Sequence, residues 1–365
     1  MKQTDKDIEI STMLVDWYKE NQRDLPWRQT TDPYKIWISE IILQQTRVVQ
    51  GLDYYYRFID RFPTVDALAA ASEEEVLKYW QGLGYYSRAR NLHASAQYIM
   101  LHCGGIFPSS YETILSLKGI GEYTAAAIAS FAWNMPYPVV DGNVYRVFSR
   151  LFALDTPIDT GKGKKEFYEL ANMLINPSNA SMHNQAVMDF GALVCTPQAP
   201  YCISCPFQHK CLAFAGGNVL DYPVKQHKTK SRNRYFNYFH IEWNDRTFLS
   251  RRDKSDIWKG LYEFPLIETG QSVNFTELSS LPDFKAIFGF QTPLDIMLVL
   301  NEKKHVLSHQ VIYANFYKVR ISNKDSALDK FIEINSSELD NYAISRLTHI
   351  YFDKLAEDRK STRLN

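Results

Sequence analysis

The chain has 365 residues, of which 45% are hydrophobic and 22% are charged, and its formal net charge is zero. This composition is typical of a soluble globular protein, and the length predicts two or three domains. Because the first residues are polar and no apolar run approaches the roughly 18 residues of a membrane span, we expect neither a signal peptide nor contact with a membrane. The balanced charge means that any binding to nucleic acid depends on local basic patches.

The sequence from Ile8 to about Ile175 has the periodicity of helices, since apolar residues recur three and four positions apart. Within it, the segment WISEIILQQTR is largely apolar but contains Glu40, and Gln44 follows four residues later on the same helical face. A carboxylate in an apolar helix is costly to ionise, so its pKa rises, which is a condition for general-acid catalysis near neutral pH. The structural alternative is a glutamate on the protein surface.

Two short glycine-containing motifs have the residues that nucleic-acid binding uses. GLGYYSRARNL places Tyr85 and Arg88 after two glycines, a combination suited to stacking on bases and pairing with phosphates, although core tyrosines give the same pattern. In LSLKGIGEYTA, Gly119 and Gly121 predict a tight hairpin before a helix. The backbone N–H groups at such a helix start form a site for a phosphate, and a plain turn between helices is the alternative.

A second carboxylate of interest is Asp141, in the motif VVDGNVYRV. The apolar spacing that follows it predicts a helix, with Asp141 at the N-cap position. The residue is therefore either a structural cap or a carboxylate that points from a helix start into a cleft.

Four of the five cysteines lie in one short loop, with the spacing C-x6-C-x2-C-x5-C, namely Cys195, Cys202, Cys205 and Cys211. We expect a reducing, cytoplasmic setting, where disulfides are rare, so metal ligation is the better interpretation. Structural zinc sites usually have two close cysteine pairs, whereas iron–sulfur clusters often take four thiolates from one short segment. The spacing favours an iron–sulfur cluster and leaves zinc and unligated thiols as alternatives.

The pattern of the chain changes after this loop. Residues 225–234 are basic and contain no acid, which predicts a linker, and later segments such as FHIEW, GLYEFP and VIYANFYKVR predict strands. The predicted organisation is an all-helical part at 1–224, the linker, an α+β part at 235–356 and a disordered tail at 357–365.

Taken in this order, the motifs LPWR, SEIILQQT, GLGYYSRARNL, LKGIGEYTA, VVDGNVYRV, NQAVMDFGALVC, GLYEFP and HVLSHQ resemble the adenine DNA glycosylases of the helix-hairpin-helix superfamily. The resemblance spans nearly the whole chain. It implies a mainly α helix-hairpin-helix DNA glycosylase fold with an iron–sulfur cluster loop, followed by a smaller α+β Nudix-like domain. The four loop cysteines would then be the ligands of a structural [4Fe–4S] cluster, whose loop contacts DNA.

The resemblance also implies the catalytic residues. Glu40 corresponds to the glutamate that protonates adenine and positions the attacking water. Asp141 corresponds to the aspartate that stabilises the sugar cation, and Tyr123 matches an active-site tyrosine. This pair of carboxylates agrees with the chemistry, because cleavage of an N-glycosidic bond needs both a proton donor and an ionised group.

The implied DNA-binding residues lie in both parts of the chain. Gln44 and Tyr85 match residues that wedge into the base stack, and Gly119 and Gly121 match the hairpin that grips a phosphate. Ser308 and His309 match the loop that reads 8-oxoguanine. Leu307 stands where the family usually has phenylalanine, which puts the packing of that loop in question.

The expected function is therefore a monofunctional DNA glycosylase of base excision repair. Its partner would be double-stranded DNA with A:8-oxoguanine or A:G mispairs, and the enzyme would be a monomer on the bacterial nucleoid. One alternative is an endonuclease III-like glycosylase and lyase for damaged pyrimidines, which carries lysine at position 123 and forms a Schiff base through it. Another is a non-enzymatic DNA-binding iron–sulfur protein, for which Glu40 and Asp141 would be unnecessary. The α+β part lacks the glutamates of Nudix hydrolases, so we expect it only to bind.

Overall fold

The computed structural model describes residues 5–226, 231–253, 256–289 and 295–363. Two compact units make up the chain. The first unit combines Met1–Ala70 with Asn91–Lys228, and the second unit combines Ala71–Arg90 with Thr229–Asn365. Within the described residues, no helix is both long enough and apolar enough to cross a membrane.

Fifteen α-helices are present in the described part of the chain. Those that precede the sheet are α1 Asp5–Asn21, α2 Pro33–Leu43, α3 Val48–Arg61, α4 Val65–Ala70, α5 Glu73–Trp80, α6 Ser87–His102, α7 Tyr111–Ser116, α8 Glu122–Trp133, α9 Gly142–Phe152, α10 Gly161–Leu174, α11 Ala180–Leu193 and α12 Leu212–Ala215. The other three are α13 Phe275–Ser280, α14 Pro282–Phe288 and α15 Arg346–Arg363.

Capping residues set the starts of helices in the first unit, and their apolar faces determine how they pack. α2, for example, begins with Pro33 at its first position, and the side chain of Asp32 accepts a hydrogen bond from the N–H of Tyr34. α2 packs against α3 and α8, and α9 and α11 pack against each other and bury the apolar stripe that begins with Val144 and Val147. The buried faces of α2, α8 and α9 thus bring three distant stretches of sequence together.

The second unit contains a mixed sheet. Its described strands are β1 Arg232–Trp243, β2 Arg246–Arg251, β3 Tyr262–Glu263, β4 Leu266–Thr269, β5 Asp295–Val306, β6 Gln310–Arg320 and β7 Ile332–Asn335. The order is β3-β2-β1-β6-β5, with β4 paired to β1 and β7 paired to β2, and only the β1–β6 pairing is parallel among these strands. FHIEW, predicted as a strand, lies in β1, which forms an antiparallel hairpin with β2 through the pair Trp243 and Arg246. The helical part followed by a smaller mixed-sheet part is the predicted fold class.

Residues 71–90 form one compact unit with the sheet. The hydroxyl of Tyr262 donates to Oε1 of Glu74 at 2.5 Å, and Nζ of Lys78 donates to the carbonyl of Tyr342 at 3.5 Å. Because α5 carries acidic residues in its first turn, Arg251 on β2 lies near two of its carboxylates. The second unit is therefore assembled from two separate stretches of the chain.

Two boundaries differ from the sequence prediction. The predicted linker 225–234 includes Arg232–Arg234, which belong to β1 because their backbone pairs with the start of β6. The guanidinium of Arg234 also forms ion pairs of 2.8 Å with Asp256 and 2.7 Å with Glu268. Residues 227–230 of that linker lie outside the described residues. The predicted disordered tail 357–365 is helical as far as Arg363, in a segment rich in helix-forming residues with a Lys354–Asp358 ion pair.

Candidate active site and nucleic-acid-binding residues

Glu40 lies on α2 with only 6% of its surface exposed. The hydroxyl of Tyr123 donates a hydrogen bond of 2.9 Å to its Oε2 atom. Burial is the main cause that raises the pKa of Glu40 to about 7; the hydrogen bond from Tyr123 opposes this rise, and the charge of Asp141 adds to it. The surface alternative for Glu40 is therefore wrong, and the residue holds a proton that it can give up near neutral pH.

Tyr123 is in the first turn of α8, which follows the glycine hairpin. Burial and the neighbouring charges of Glu40 and Asp141 raise the pKa of Tyr123 well above its ordinary value. The phenol therefore stays neutral, and its hydroxyl donates a hydrogen bond to Oε2 of Glu40. Glu40 and Tyr123 are 83 positions apart in sequence, and the packing of α2 on α8 brings them together.

Asp141 is the N-cap of α9, as predicted. One of its oxygens accepts from the backbone N–H groups of Asn143 and Val144, both at 2.9 Å, and the other accepts from the Asn143 side chain at 2.7 Å. Burial raises the pKa of Asp141, and these three donors oppose the rise. Since its charge also raises the pKa of Glu40, Asp141 acts as a cap and as a member of the Glu40 site.

A chain of hydrogen bonds connects Asp141 to the cysteine loop. The amide oxygen of Asn143 accepts from Nη2 of Arg146 at 2.8 Å, and Nε of Arg146 donates to the carbonyl of Cys195 at 2.7 Å. Arg146 also donates to the carbonyl of Gly191 at 2.6 Å. Asn143 and Arg146 were not predicted from the sequence. Arg146 lies on the side of α9 opposite the apolar stripe of Val144 and Val147, where a basic residue is expected to face solvent.

The four loop cysteines all line one small cavity, together with Arg150 and apolar residues that include Val194 and Phe214. Among the residues that the structure describes, no three thiol, imidazole or carboxylate groups converge closely enough to hold a single metal ion. The thiols nevertheless fit a group that takes one thiolate from each of four cysteines, because all four face a common space.

Arg150, which no sequence motif singled out, holds this loop through several hydrogen bonds from its buried guanidinium. It is 2% exposed, and Nη1 donates to Sγ of Cys195 at 3.4 Å and to the carbonyl of Thr196 at 2.7 Å. Its other nitrogens donate to the carbonyls of Pro197 and Val219, both at 2.9 Å. A buried cation with these acceptors fixes the conformation of the loop.

The predicted glycine hairpin connects α7 to α8. Gly119 has a φ of +81°, and a Cβ atom there would lie 2.7 Å from Cβ of Asn91, so only glycine fits. Gly121 is the N-cap of α8 and has no side chain to cap the first N–H groups. Nearby, Nε2 of Gln44 donates to the hydroxyl of Thr124 at 3.2 Å, which places Gln44 beside the start of α8 and near Tyr123.

The second unit brings together Tyr85 and the predicted lesion-reading loop. Tyr85 is 45% exposed, and its hydroxyl is hydrogen-bonded to the hydroxyl of Ser308. Ser308 and His309 are exposed in the turn between β5 and β6, where the N–H of Leu307 donates to the carbonyl of Gln310 at 2.8 Å. Leu307 packs against the core of the second unit, so its aliphatic side chain still anchors the turn.

Arg88 differs from the prediction of a phosphate contact. Its side chain is 9% exposed and lies over the rings of Trp80 and Tyr85, at 5.1 and 5.6 Å from their centroids. Nη2 donates to the carbonyl of Gly84 at 3.2 Å, and burial lowers the pKa of Arg88 to about 10. The geometry supports a role in holding the Tyr85 turn, because the guanidinium is occupied inside the second unit.

Both parts of the chain match known protein families, and relatives of the whole chain are adenine DNA glycosylases. Residues 38–175 match the family described as HhH-GPD superfamily base excision DNA repair protein, and residues 237–354 match the NUDIX domain family. Adenine DNA glycosylase of Buchnera aphidicola (Baizongia pistaciae) is 33% identical over 83% of both chains, and that of Rattus norvegicus is 31% identical over 96% of this chain and 78% of its own.

Solved structures resemble the helical part. A thermostable thymine-DNA glycosylase superimposes with a TM-score of 0.54 at 29% identity, over 58% of this chain and 98% of its own. A non-covalent endonuclease III–DNA complex shares the fold, with a TM-score of 0.51 at 23% identity over 58% of this chain and 97% of its own. Given the extent of its similarity to the curated relatives, the chain belongs to the adenine DNA glycosylases, base excision repair enzymes of the helix-hairpin-helix superfamily.

Proposed function

We propose that this enzyme removes adenine mispaired with 8-oxoguanine or guanine from double-stranded DNA, as a monofunctional glycosylase with water as the final acceptor. The observation that carries the proposal is the hydrogen bond that Tyr123 donates to the buried Glu40, whose pKa is about 7. A base cannot be reached inside a duplex, so adenine must first leave the stack and enter this site.

In the proposed reaction Glu40 is the general acid. The Tyr123 hydroxyl occupies Oε2, so the proton of the neutral carboxyl group resides on Oε1 and is available to the leaving adenine. Because burial raises the pKa of Glu40 to about 7, the proton is retained far above the ordinary pKa of a glutamate and can be transferred near neutral pH. The carboxylate that remains after proton transfer can position the attacking water and accept its proton.

Asp141 is proposed to stay ionised and to stabilise the positive charge that develops on the sugar. The three N–H donors from Asn143 and Val144 stabilise its negative charge without using a proton. Burial raises the pKa of both carboxyl groups, but three donors oppose the rise at Asp141, whereas at Glu40 the opposing hydrogen bond is the single one from the Tyr123 hydroxyl, and the pKa reaches about 7. Two carboxyl groups in different environments thus serve different functions, one as the acid and one as the anion.

The identity of residue 123 supports a monofunctional enzyme over an endonuclease III-like lyase. A lyase of that kind needs an amine to form a Schiff base with the sugar. Tyr123 has no amine, and its phenol is kept neutral by burial and by nearby negative charge. A non-enzymatic DNA-binding protein is also disfavoured, because a binding surface has no need of a buried glutamate with a pKa of about 7.

We also propose that Cys195, Cys202, Cys205 and Cys211 hold a [4Fe–4S] cluster. Support comes from the four thiols on one cavity and from the Arg150 guanidinium at Cys195. When bound, the cluster would cross-link the loop through four thiolates, in a structural role. The loop would then be fixed at the same point where Arg146 reaches it from the Asp141 site.

DNA binding is proposed to use groups in both units. Gln44 beside α8 and Tyr85 would enter the base stack, and the backbone N–H groups at Gly119 and Gly121 would hold a phosphate. Ser308 and His309, exposed at the β5–β6 turn, would read the base opposite adenine through hydrogen bonds. The enzyme would act as a monomer on DNA in the cytoplasm.

A strand-cleavage assay tests the proposal. A duplex with A:8-oxoguanine, incubated with the enzyme, should be cut only after alkali or heat, because a monofunctional glycosylase leaves the backbone intact. Glu40→Gln should abolish adenine release and keep duplex binding, whereas Glu169→Gln, an exposed glutamate on α10, should behave as wild type. Cutting without alkali would instead support the lyase, and binding without any base release by the wild-type protein would support the non-enzymatic alternative.

A further inference from the structure

The second unit contains a cavity of about 670 Å³ next to the turn that carries Ser308. Tyr85, Trp258 and Ser308 are among the residues that line it. This volume accommodates a nucleobase with room to spare, and the lining combines aromatic rings with hydroxyl groups. We infer that Trp258 is a stacking surface for the base opposite the target adenine. The inference rests on the proposed function and adds a residue to it.

The backbone of Trp258 is held in an unusual conformation. Its φ is +60°, in the left-handed region that residues with a Cβ atom rarely adopt and that asparagine or glycine occupies more easily. Strained positions of this kind concentrate where a side chain has to be presented in one direction. Because the backbone conformation alone favours glycine or asparagine, the tryptophan at this position indicates a role for its ring.

The turn that carries Trp258 is fixed on both sides. The N–H of Leu261 donates to the carbonyl of Trp258 at 3.0 Å, and the N–H of Gly260 donates to the carbonyl of Arg252 at 2.7 Å. On the other side, Nη1 of Arg90 donates to the carbonyl of Lys259 at 2.6 Å. Since Arg90 follows closely after Tyr85, this contact ties the Trp258 turn to the Tyr85 turn.

The ring itself is half-buried. Its centroid lies 6.4 Å from Phe236 in an edge-on contact and 5.8 Å from His305 in a tilted contact, and it packs at the margin of the core of the second unit. These contacts hold the ring in place, and the remaining surface lines the cavity. Tyr85 and Ser308, joined by their hydroxyl groups, line the same space.

The two kinds of group in this cavity should contribute differently. Every base has a π-face, so stacking on an aromatic side chain is tolerant of base identity. Hydrogen bonds to base edges, in contrast, discriminate between bases. Trp258 should therefore strengthen binding to duplexes with guanine and with 8-oxoguanine alike, while Ser308 should control the ratio between them.

The test uses the full chain and duplexes that carry a non-cleavable adenine analogue opposite 8-oxoguanine or guanine. Trp258→Leu should raise the Kd for both duplexes by roughly 5- to 100-fold, with the ratio of the two Kd values changed less than about twofold. Trp258→Phe, which keeps an aromatic face, should recover most of the lost affinity. Trp243→Leu, a tryptophan at another core of the same unit, should leave both Kd values unchanged.

Other results would overturn the inference. If Trp258→Leu binds both duplexes with wild-type affinity, the ring makes no contact with DNA that contributes to binding. Equal losses in the leucine and phenylalanine variants, accompanied by a lower Tm in both, would show a structural role only. A change confined to the ratio would make Trp258 a discriminating residue instead of a stacking surface. None of these three outcomes contradicts the proposed function. That function would be contradicted by a different result, namely that the wild-type protein releases no adenine.

Discussion

The hydroxyl of Tyr123 donates a 2.9 Å hydrogen bond to Oε2 of Glu40, where α2 packs against α8. This bond lowers the pKa of Glu40, while burial raises it to about 7. Tyr123→Phe removes only the donor, so the pKa of Glu40 should increase further. The alkaline limb of the single-turnover pH profile should then move to higher pH, with a several-fold lower plateau rate. An alkaline limb that stays in place or moves to lower pH would contradict this assignment.

Glu40 should also make the protein less stable in alkaline solution. Its folded pKa of about 7 lies above its ordinary value of 4.5, so the favourable protonated state is fully populated below the ordinary pKa. That contribution is lost as pH rises through the folded value. Glu40→Gln, which cannot ionise, should therefore be more stable than wild type at pH 8 by on the order of 3 kcal/mol and equally stable at pH 4. Denaturant unfolding at the two pH values measures the difference, and a variant less stable at pH 8 would refute it.

Asn143→Ala should weaken the Asp141 anion. The variant loses the 2.7 Å side-chain donor, which opposes the rise of the Asp141 pKa, so that pKa should increase. If ionised Asp141 is required, the acidic limb of the rate profile moves to higher pH and excision at pH 7 falls about tenfold or more. Duplex binding measured with the non-cleavable analogue should persist. An unchanged acidic limb would mean that the Asn143 side chain does not tune Asp141.

Arg150→Met should release the cysteine loop. The substitution removes donors to the carbonyls of Thr196 and Pro197 and to Sγ of Cys195, and leaves buried acceptors without partners, at a cost on the order of 3 kcal/mol. Purified wild-type protein should contain about four iron and four sulfide per chain, and the variant should contain less and unfold at a lower Tm. Arg246→Met, at an exposed arginine, is the matched control.

Metal and sulfide analysis of the Cys103→Ala variant and of the wild-type protein distinguishes a four-cysteine iron–sulfur cluster from a zinc site. Cys103→Ala should leave the iron content unchanged, since Cys103 lies outside the four-cysteine cavity. Stoichiometric zinc without acid-labile sulfide in the wild-type protein would reject the cluster and leave the loop as a zinc site.

Ser308→Ala combined with His309→Ala should reduce the preference for A:8-oxoguanine over A:G. Loss of two hydrogen bonds at a base edge is worth roughly 1–3 kcal/mol of discrimination, about 5- to 150-fold in the ratio of single-turnover rates. Tyr85→Phe should have a smaller effect in the same direction, because the Tyr85 hydroxyl holds the Ser308 hydroxyl. If the wild-type protein, the double variant and Tyr85→Phe all show the same ratio of rates on the two duplexes, recognition of 8-oxoguanine must depend on other residues.

These point variants are preferable to removal of the sheet. A fragment that ends near Pro223 would keep residues 71–90 but would lack the partners that they have in the second unit, such as Tyr262 at Glu74. Exposed apolar side chains of α5 could then cause losses unrelated to recognition.

The sequence by itself determined what depends on neighbours a few positions away. Local backbone geometry predicts the cap at Asp141 and the glycine at position 119, and ligand spacing predicts a metal site at the four cysteines. The resemblance to a glycosylase family implied a catalytic role for Glu40. The periodicities of 3.6 and 2 were enough to separate the helical part from the sheet, because each period reports which face of an element is buried.

Only the tertiary structure decided which distant side chains share an environment. The Glu40–Tyr123 bond joins positions 83 apart, the burial of Arg146 and Arg150 depends on the cysteine loop folding over α9, and residues 71–90 pack with strands far along the chain. No local pattern encodes these contacts, since they arise when separate apolar faces close on each other. The pKa of Glu40 is set in the same way, because the desolvation that raises it comes from helices distant in sequence.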